Sequence, residues 1–216
     1  MDTYNTIVRF FQDGGMFMYP IMIVLGLGLA IGIERWVYLT ATGTRNRIVW
    51  KKLAPLLKRG GFKEAASIAA QSKTAIATIL SYGFARIDGA RRRDDIEKAI
   101  EESLMEVMPR LEKRTHYLAT FANIATLLGL LGTIIGLIKA FTAVAAANPA
   151  EKADLLSASI SVAMNTTAFG LMVAIPLLLM HSVLQTKTTE LIDSLEMVSV
   201  KFLNSFTETR PQARAA

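Results

Sequence analysis

Apolar residues in this chain gather into three long blocks, and the stretches between them mix charged and apolar positions at helical spacing. The blocks cover residues 16–39, 117–147 and 155–184. A bilayer core of about 30 Å takes roughly 20 helical residues, so each block is long enough to cross. The first has no basic segment ahead of it, since Arg9 is flanked by Asp2 and Asp13, and it is longer than the apolar core of a cleaved leader. It is therefore read as a retained span. Ile7, Phe10 and Phe11 ahead of it fit a short helix at the headgroups. Between the first two blocks the pattern predicts short amphipathic helices over 46–59, 62–71 and 74–87, broken at Gly60-Gly61 and Ser72-Lys73. From Asp94 onward, Ile96, Ile100, Leu104, Val107, Leu111 and Leu118 recur at helical spacing with no turn signal before the second block. Pro109 is expected to bend that helix. Leu191, Leu195, Val198, Phe202 and Phe206 form a matching stripe beyond the third block, and residues 210–216 are expected to be disordered. The fold class is all-α: a polytopic membrane protein with three transmembrane helices and a helical cytoplasmic domain. The helices of spans two and three are long and extend into the cytoplasm.

Charge sets the orientation. Of the 24 Lys and Arg residues, 16 lie in 41–116, whereas the first 15 residues hold only Arg9 and the 148–156 loop only Lys152. By the positive-inside rule, 40–116 is a cytoplasmic helical domain and 185–216 a cytoplasmic C-terminal helix and tail. Residues 1–15 and the 148–154 loop lie on the outer side. The net charge of +6 then calls for anionic inner-leaflet lipid rather than nucleic acid. Glu34, Arg35, Trp36 and Tyr38 close the first span as a charged and aromatic interface. Gly28 and Gly32 have the spacing of close helix packing, and no strand precedes them to support a dinucleotide reading. The Arg91-Arg92-Arg93 run reads as a solvated helix start or a headgroup contact. His116 and His181 fall near the cytoplasmic edge, and Lys139 lies close enough to the outer end for its stem to snorkel. The chain has no cysteine, so disulfides and thiolate chemistry are excluded. It also shows no nucleotide loop, metal cluster or pocketed carboxylate pair, so no enzyme chemistry and no cofactor are expected.

The informative polar residues lie inside the second and third blocks. Thr133 is 14 residues from Ala147, and Thr167 is 12 from Leu155, so both lie roughly 18–21 Å from the same surface. Thr126 shares a face with Thr133. Ser157, Ser161 and Asn165 repeat every four residues, and Thr166 widens that stripe. Such hydroxyls can bond within their own helix or join helices. Their clustering at one depth, with a buried amide among them, reads instead as the lining of a polar path: Thr133, Thr167, Thr166, Asn165, Ser161 and Thr126. Gly129, Gly132, Gly136 and Gly170 are the close-packing positions, and Pro176 weakens the third helix, freeing carbonyls near Met172. No Asp or Glu lies within a span away from its ends, so a titrating carboxylate would have to come from another polypeptide.

These segments resemble the MotA/TolQ/ExbB family of ion-channel subunits. GLLGTIIG at 129–136 is similar to that family's G-L-x-G-T-x-x-G pattern, and TAFGLMVAIP at 167–176 to its T-A-x-G-L-x-x-A-I-P pattern. The three-span layout is closest to the ExbB and TolQ branch. The resemblance implies a homo-pentamer in a Gram-negative inner membrane, surrounding an ExbD/TolR-like single-span subunit whose Asp carries the ion. Motion driven by the ion gradient would act on a TonB/TolA-like energy transducer. It also implies that Thr133 and Thr167 face the pore. Close ExbB and TolQ members carry a glutamate where this chain has Val162, while Asn165 and Thr166 add polar groups. Hydroxyl and amide oxygens suit sodium as well as a proton relay, so both ions stay open. A flagellar stator subunit and a non-conducting scaffold are the alternatives. A self-contained transporter would call for an inverted repeat and a mid-membrane charge, and neither is visible.

Overall fold

The computed structural model describes residue 10 and residues 14–87 and 93–214, with side chains through 207. Ile7, Phe11, Arg91 and Arg92, for which interfacial or headgroup roles are expected, lie outside the described residues. Six helices follow one another: α1 (Met18–Lys58), α2 (Phe62–Ala70), α3 (Ala75–Ile87), α4 (Arg93–Glu112), α5 (His116–Ala146) and α6 (Lys152–Arg214). Among the described residues there is no strand. Three helical stretches are long and apolar enough to cross a membrane.

The helices contribute to two compact units. The first contains residues up to Glu34 together with Arg114–Val183. Its packing rests on small residues. A Cβ on Gly28 would come within 2.6 Å of Leu177, and one on Gly136 within 2.8 Å of Ala163 Cβ. Ala122, Ala125, Ala140 and Ala163 are buried, whereas Leu127, Ile134, Ile138 and Phe141 point outward. Apolar side chains facing out and small ones facing in are what helix association in lipid favours, because lipid gives no hydrophobic penalty to the large ones. At the end of this unit Glu34 pairs with Arg114 at 3.1 Å.

The second unit contains Arg35–Lys113 and Leu184 onward. Here the core is an ordinary hydrophobic one, built from Leu53, Leu57, Ile76, Leu80, Ile96, Ile100, Leu195 and Phe202 among others. Phe202 is fully buried, and Phe62 and Phe84 meet it edge-on at ring distances of 6.4 and 5.0 Å. The expected stripes on α4 and on the far part of α6 are both in this core. Arg35 is 3% exposed; its guanidinium donates to the carbonyl of Leu111 and lies 4.7 Å from the Tyr38 ring centroid. Leu111 is in the last turn of α4, whose carbonyls have no partner within the helix, so a buried cation is well placed there.

Three expectations about the elements are corrected. The run from Asp94 is not one helix: it stops at Glu112 and restarts at His116, with Arg114 at φ +67°. A left-handed residue just past a helix end is a common terminator, but it is usually glycine, so no turn residue announces it. Conversely, the first apolar block and the 46–59 helix are not separate elements but parts of α1. It continues to Lys58, through Gly43, where a Cβ would sit 3.0 Å from Leu191. Gly43 is thus a packing position and not a turn. Finally, the backbone of α6 stays helical to Arg214, past the expected disordered start of the tail.

Candidate functional site

The glycines of α5 and α6 bring two backbones into contact. A Cβ on Gly129 would lie 3.3 Å from the Cα atoms of both Thr167 and Gly170, and one on Gly170 would lie 2.7 Å from the carbonyl oxygen of Ala125. Neither obstruction is a flexible side chain that could move aside, so a substitution at either position must separate the helices. That closeness places the Thr133 and Thr167 hydroxyls in direct hydrogen-bond contact. The Gly129 carbonyl lies 3.2 Å from Thr133 Oγ1 and 2.9 Å from Thr167 Oγ1. Both threonines are half-buried.

The proton count of this triad decides its character. Each hydroxyl has one proton and two lone pairs, and the carbonyl only accepts. If both protons go to Gly129, all four hydroxyl lone pairs stay unused. If one hydroxyl donates to the other, three remain. The site is therefore a net acceptor of hydrogen bonds, suited to a water, a protonated acid or a small cation, and ill suited to an anion.

The remaining polar residues do not join the pair. Thr166 is 2% exposed, and its single hydroxyl proton has two carbonyls in reach, Gly14 (2.5 Å) and Val162 (2.9 Å), while its methyl packs against Gly132. Asn165 is half-buried and Ser161 exposed. Each is two residues from Ala163, which packs on Gly136, and is therefore turned about 200° from that contact. Thr126 is exposed and donates to the Ala122 carbonyl at 3.1 Å. Pro176 is exposed, and α6 passes through it without a break. Lys139 is exposed on α5. Among the described residues no group of His, Asp and Glu could hold a metal.

Sequence reasoning missed the Gly129 carbonyl, which completes the triad. Its signal was present: Gly129 is four residues before Thr133, the spacing at which a threonine bonds back along its own helix. The contact of Gly14 with Thr166 had no such signal, because nothing local ties two residues so far apart in sequence.

Residues 71–197 match the model of the MotA/TolQ/ExbB proton channel family. A protein of Methanothermobacter thermautotrophicus named as a biopolymer transport ExbB homolog is 28% identical over 197 residues, which cover 90% of this chain and 68% of that protein. The biopolymer transport ExbB-like 3 protein of Synechocystis sp. is 26% identical over 174 residues, covering 80% and 82%. The Tol-Pal system protein TolQ of Haemophilus influenzae is 29% identical over 110 residues, covering 51% and 46%. The matched family region contains both threonines and all four packing glycines of the site.

Proposed function

This chain belongs to the MotA/TolQ/ExbB proton channel family, and from that premise we propose that it is the ion-pathway subunit of an ExbB/TolQ-like motor in a Gram-negative inner membrane. In this reading five copies surround the span of an ExbD/TolR-like subunit. The N-terminus and the loop between α5 and α6 lie on the periplasmic side, and the basic second unit lies in the cytoplasm. The gradient's energy passes to a TonB/TolA-like transducer.

The single observation that carries the reading is the acceptor-rich triad of Thr133, Thr167 and the Gly129 carbonyl. The α5 segment has no Asp or Glu, and Asp154 in the first turn of α6 is its only one before Glu190. The triad cannot itself release or take up a proton near neutral pH. It can accept a hydrogen bond from a partner's carboxylic acid, which holds the neutral form while that acid crosses the membrane interior. Loss of the proton to the cytoplasmic side leaves a carboxylate, which a net-accepting site holds less well, so the pair distinguishes the two protonation states while the ion gradient sets the direction of the cycle. The pair is the proposed pathway contact. Asn165 and Ser161 face a different side and are proposed to line the same route from a neighbouring copy's seam, with Thr126 further along α5. Thr166 is proposed to hold the segment before α1 in place.

The test is Thr133→Val and Thr167→Val in the assembled complex. Valine keeps the shape and removes the hydroxyl. Proton uptake by reconstituted vesicles should fall at least about tenfold, as expected for a hydrogen bond to a charged or reacting group, while the oligomer and its partner remain assembled. Unchanged uptake would leave the scaffold reading. Uptake that requires sodium, and fails in sodium-free buffer, would change the ion and keep the site.

A further inference from the structure

The second unit holds a cavity of about 360 Å³ whose lining includes Tyr38 and the start of α3. Three cationic side chains, Arg45, Lys73 and Arg110, line it, and among the described residues no acidic side chain does. Arg110 is engaged with Glu106 at 2.8 Å. Among the described residues Arg45 and Lys73 have no carboxylate partner.

Asn46 lies in the cavity wall and is 2% exposed. Its Oδ1 accepts from the Ile76 N–H at 3.4 Å, which fixes the orientation of the amide. Its Nδ2 is buried with no hydrogen-bond partner among the described residues. A buried donor left unpaired is costly, and it points to an acceptor that the protein alone does not supply. The other features of the wall have the same polarity. Thr74 immediately precedes α3, and Ala75 and Thr78 lie in its first turn, in a helix of 13 residues with no acidic residue in that turn. The positive end of a helix dipole favours an anion there.

We propose that this cavity binds a phosphate-bearing anion. Arg45 and Lys73 neutralise its charge, the start of α3 and Thr42 give hydrogen-bond donors, and Asn46 supplies the donor at the wall. A water could satisfy Asn46, but three cationic side chains and a helix start gathered around one space favour an anion over a neutral water. The phosphate has two possible sources. One is a soluble phosphate compound. The other is the headgroup of an anionic lipid, because Tyr38 belongs to the aromatic end of the first apolar block, about 12 Å along α1 from Asn46. The proposal is independent of the ion pathway, since no residue of the Thr133 site takes part.

The experiment uses the full chain, purified in neutral detergent without anionic lipid. Inorganic pyrophosphate binding is measured by calorimetry, and retention of phosphatidylglycerol over phosphatidylcholine is counted by native mass spectrometry. The Arg45→Gln, Lys73→Gln double variant is compared with Lys58→Gln, Lys63→Gln, which removes equal charge from outside the cavity. At least one probe should bind saturably, and the cavity variant should weaken it about tenfold or more, with less than about a twofold change in the control. Pyrophosphate binding assigns a soluble source, and phosphatidylglycerol retention alone assigns a headgroup; both support the site. Absence of saturable binding by either probe, or equal weakening in the two double variants, would overturn it.

Discussion

At the scale of single residues, the protein's behaviour depends on where protons and charges can go. Thr133→Ser keeps a hydroxyl and should keep most ion uptake, in contrast to Thr133→Val; equal losses in the two would point to shape rather than hydrogen bonding. Arg35 is a second such residue, because its buried guanidinium meets the end of α4. Arg35→Gln removes a charge-assisted bond of about 2 kcal/mol. It should lower the melting temperature of the purified protein without changing the labelling or packing of the threonine pair. Tyr82 shows the same reasoning outside the spans. Its hydroxyl donates to Glu106 at 3.1 Å, and this bond, with the carboxylate's charge, raises its pKa above the usual 10.0. A raised value favours the neutral phenol, so the contact is intact below pH 10 and is lost only as pH rises through the folded value. Glu106→Gln should move one tyrosine's alkaline absorbance transition to lower pH, and no movement would remove that pairing. The threonine pair was legible in the sequence because matched depth is a counting result. The burial of Thr166 was not, because it depends on the distant Gly14 carbonyl.

At the scale of elements, small residues decide how close helices come. Gly170→Ala leaves every hydroxyl in place, yet its Cβ would meet the Ala125 carbonyl. It should reduce ion uptake nearly as much as Thr167→Val, and a normal rate would mean that the seam tolerates separation. Arg114 supplies a contrasting case. Its φ of +67° suits glycine and is poor for a β-branched residue. Arg114→Gly should be as stable as the parent, within about 1 kcal/mol after loss of its exposed ion pair with Glu34, and Arg114→Val should be less stable than both. The helix break at 113–115 was invisible beforehand because Lys, Arg and Thr carry no turn signal. The unbroken course of α1 was hidden for the opposite reason, since Gly43 resembles a boundary until Leu191 is found against it. Gly60, at φ +73°, did mark the end of α1 as its type suggests.

At the scale of the whole molecule, two kinds of core coexist in one chain. The first unit is held by small residues and polar contacts, and the second by buried aromatic and aliphatic side chains. Phe202→Ala should cost about 3–5 kcal/mol in the second unit, read as a lower melting temperature and faster proteolysis of 40–112. Three-span architecture was legible because spans appear as uninterrupted apolar blocks. The α4 and α6 stripes were legible because helical periodicity marks the face that each helix buries in an ordinary hydrophobic core. Assembly is the scale at which the single chain stops and the family relationship begins. The outward apolar faces of α5 and α6 call for lipid or neighbouring copies.

The most direct measurement uses the absence of cysteine from the chain. Thr133→Cys, Thr167→Cys and Ile138→Cys would each introduce a single thiol into the assembled complex in native membranes. Ile138 is an apolar side chain exposed on the same helix as Thr133. A charged, membrane-impermeant thiol reagent should react at positions 133 and 167, more slowly once the single-span partner is present, and should not react at 138. Protection of both threonine positions with and without the partner, or equal reaction at all three, would contradict a water-accessible ion route at this pair.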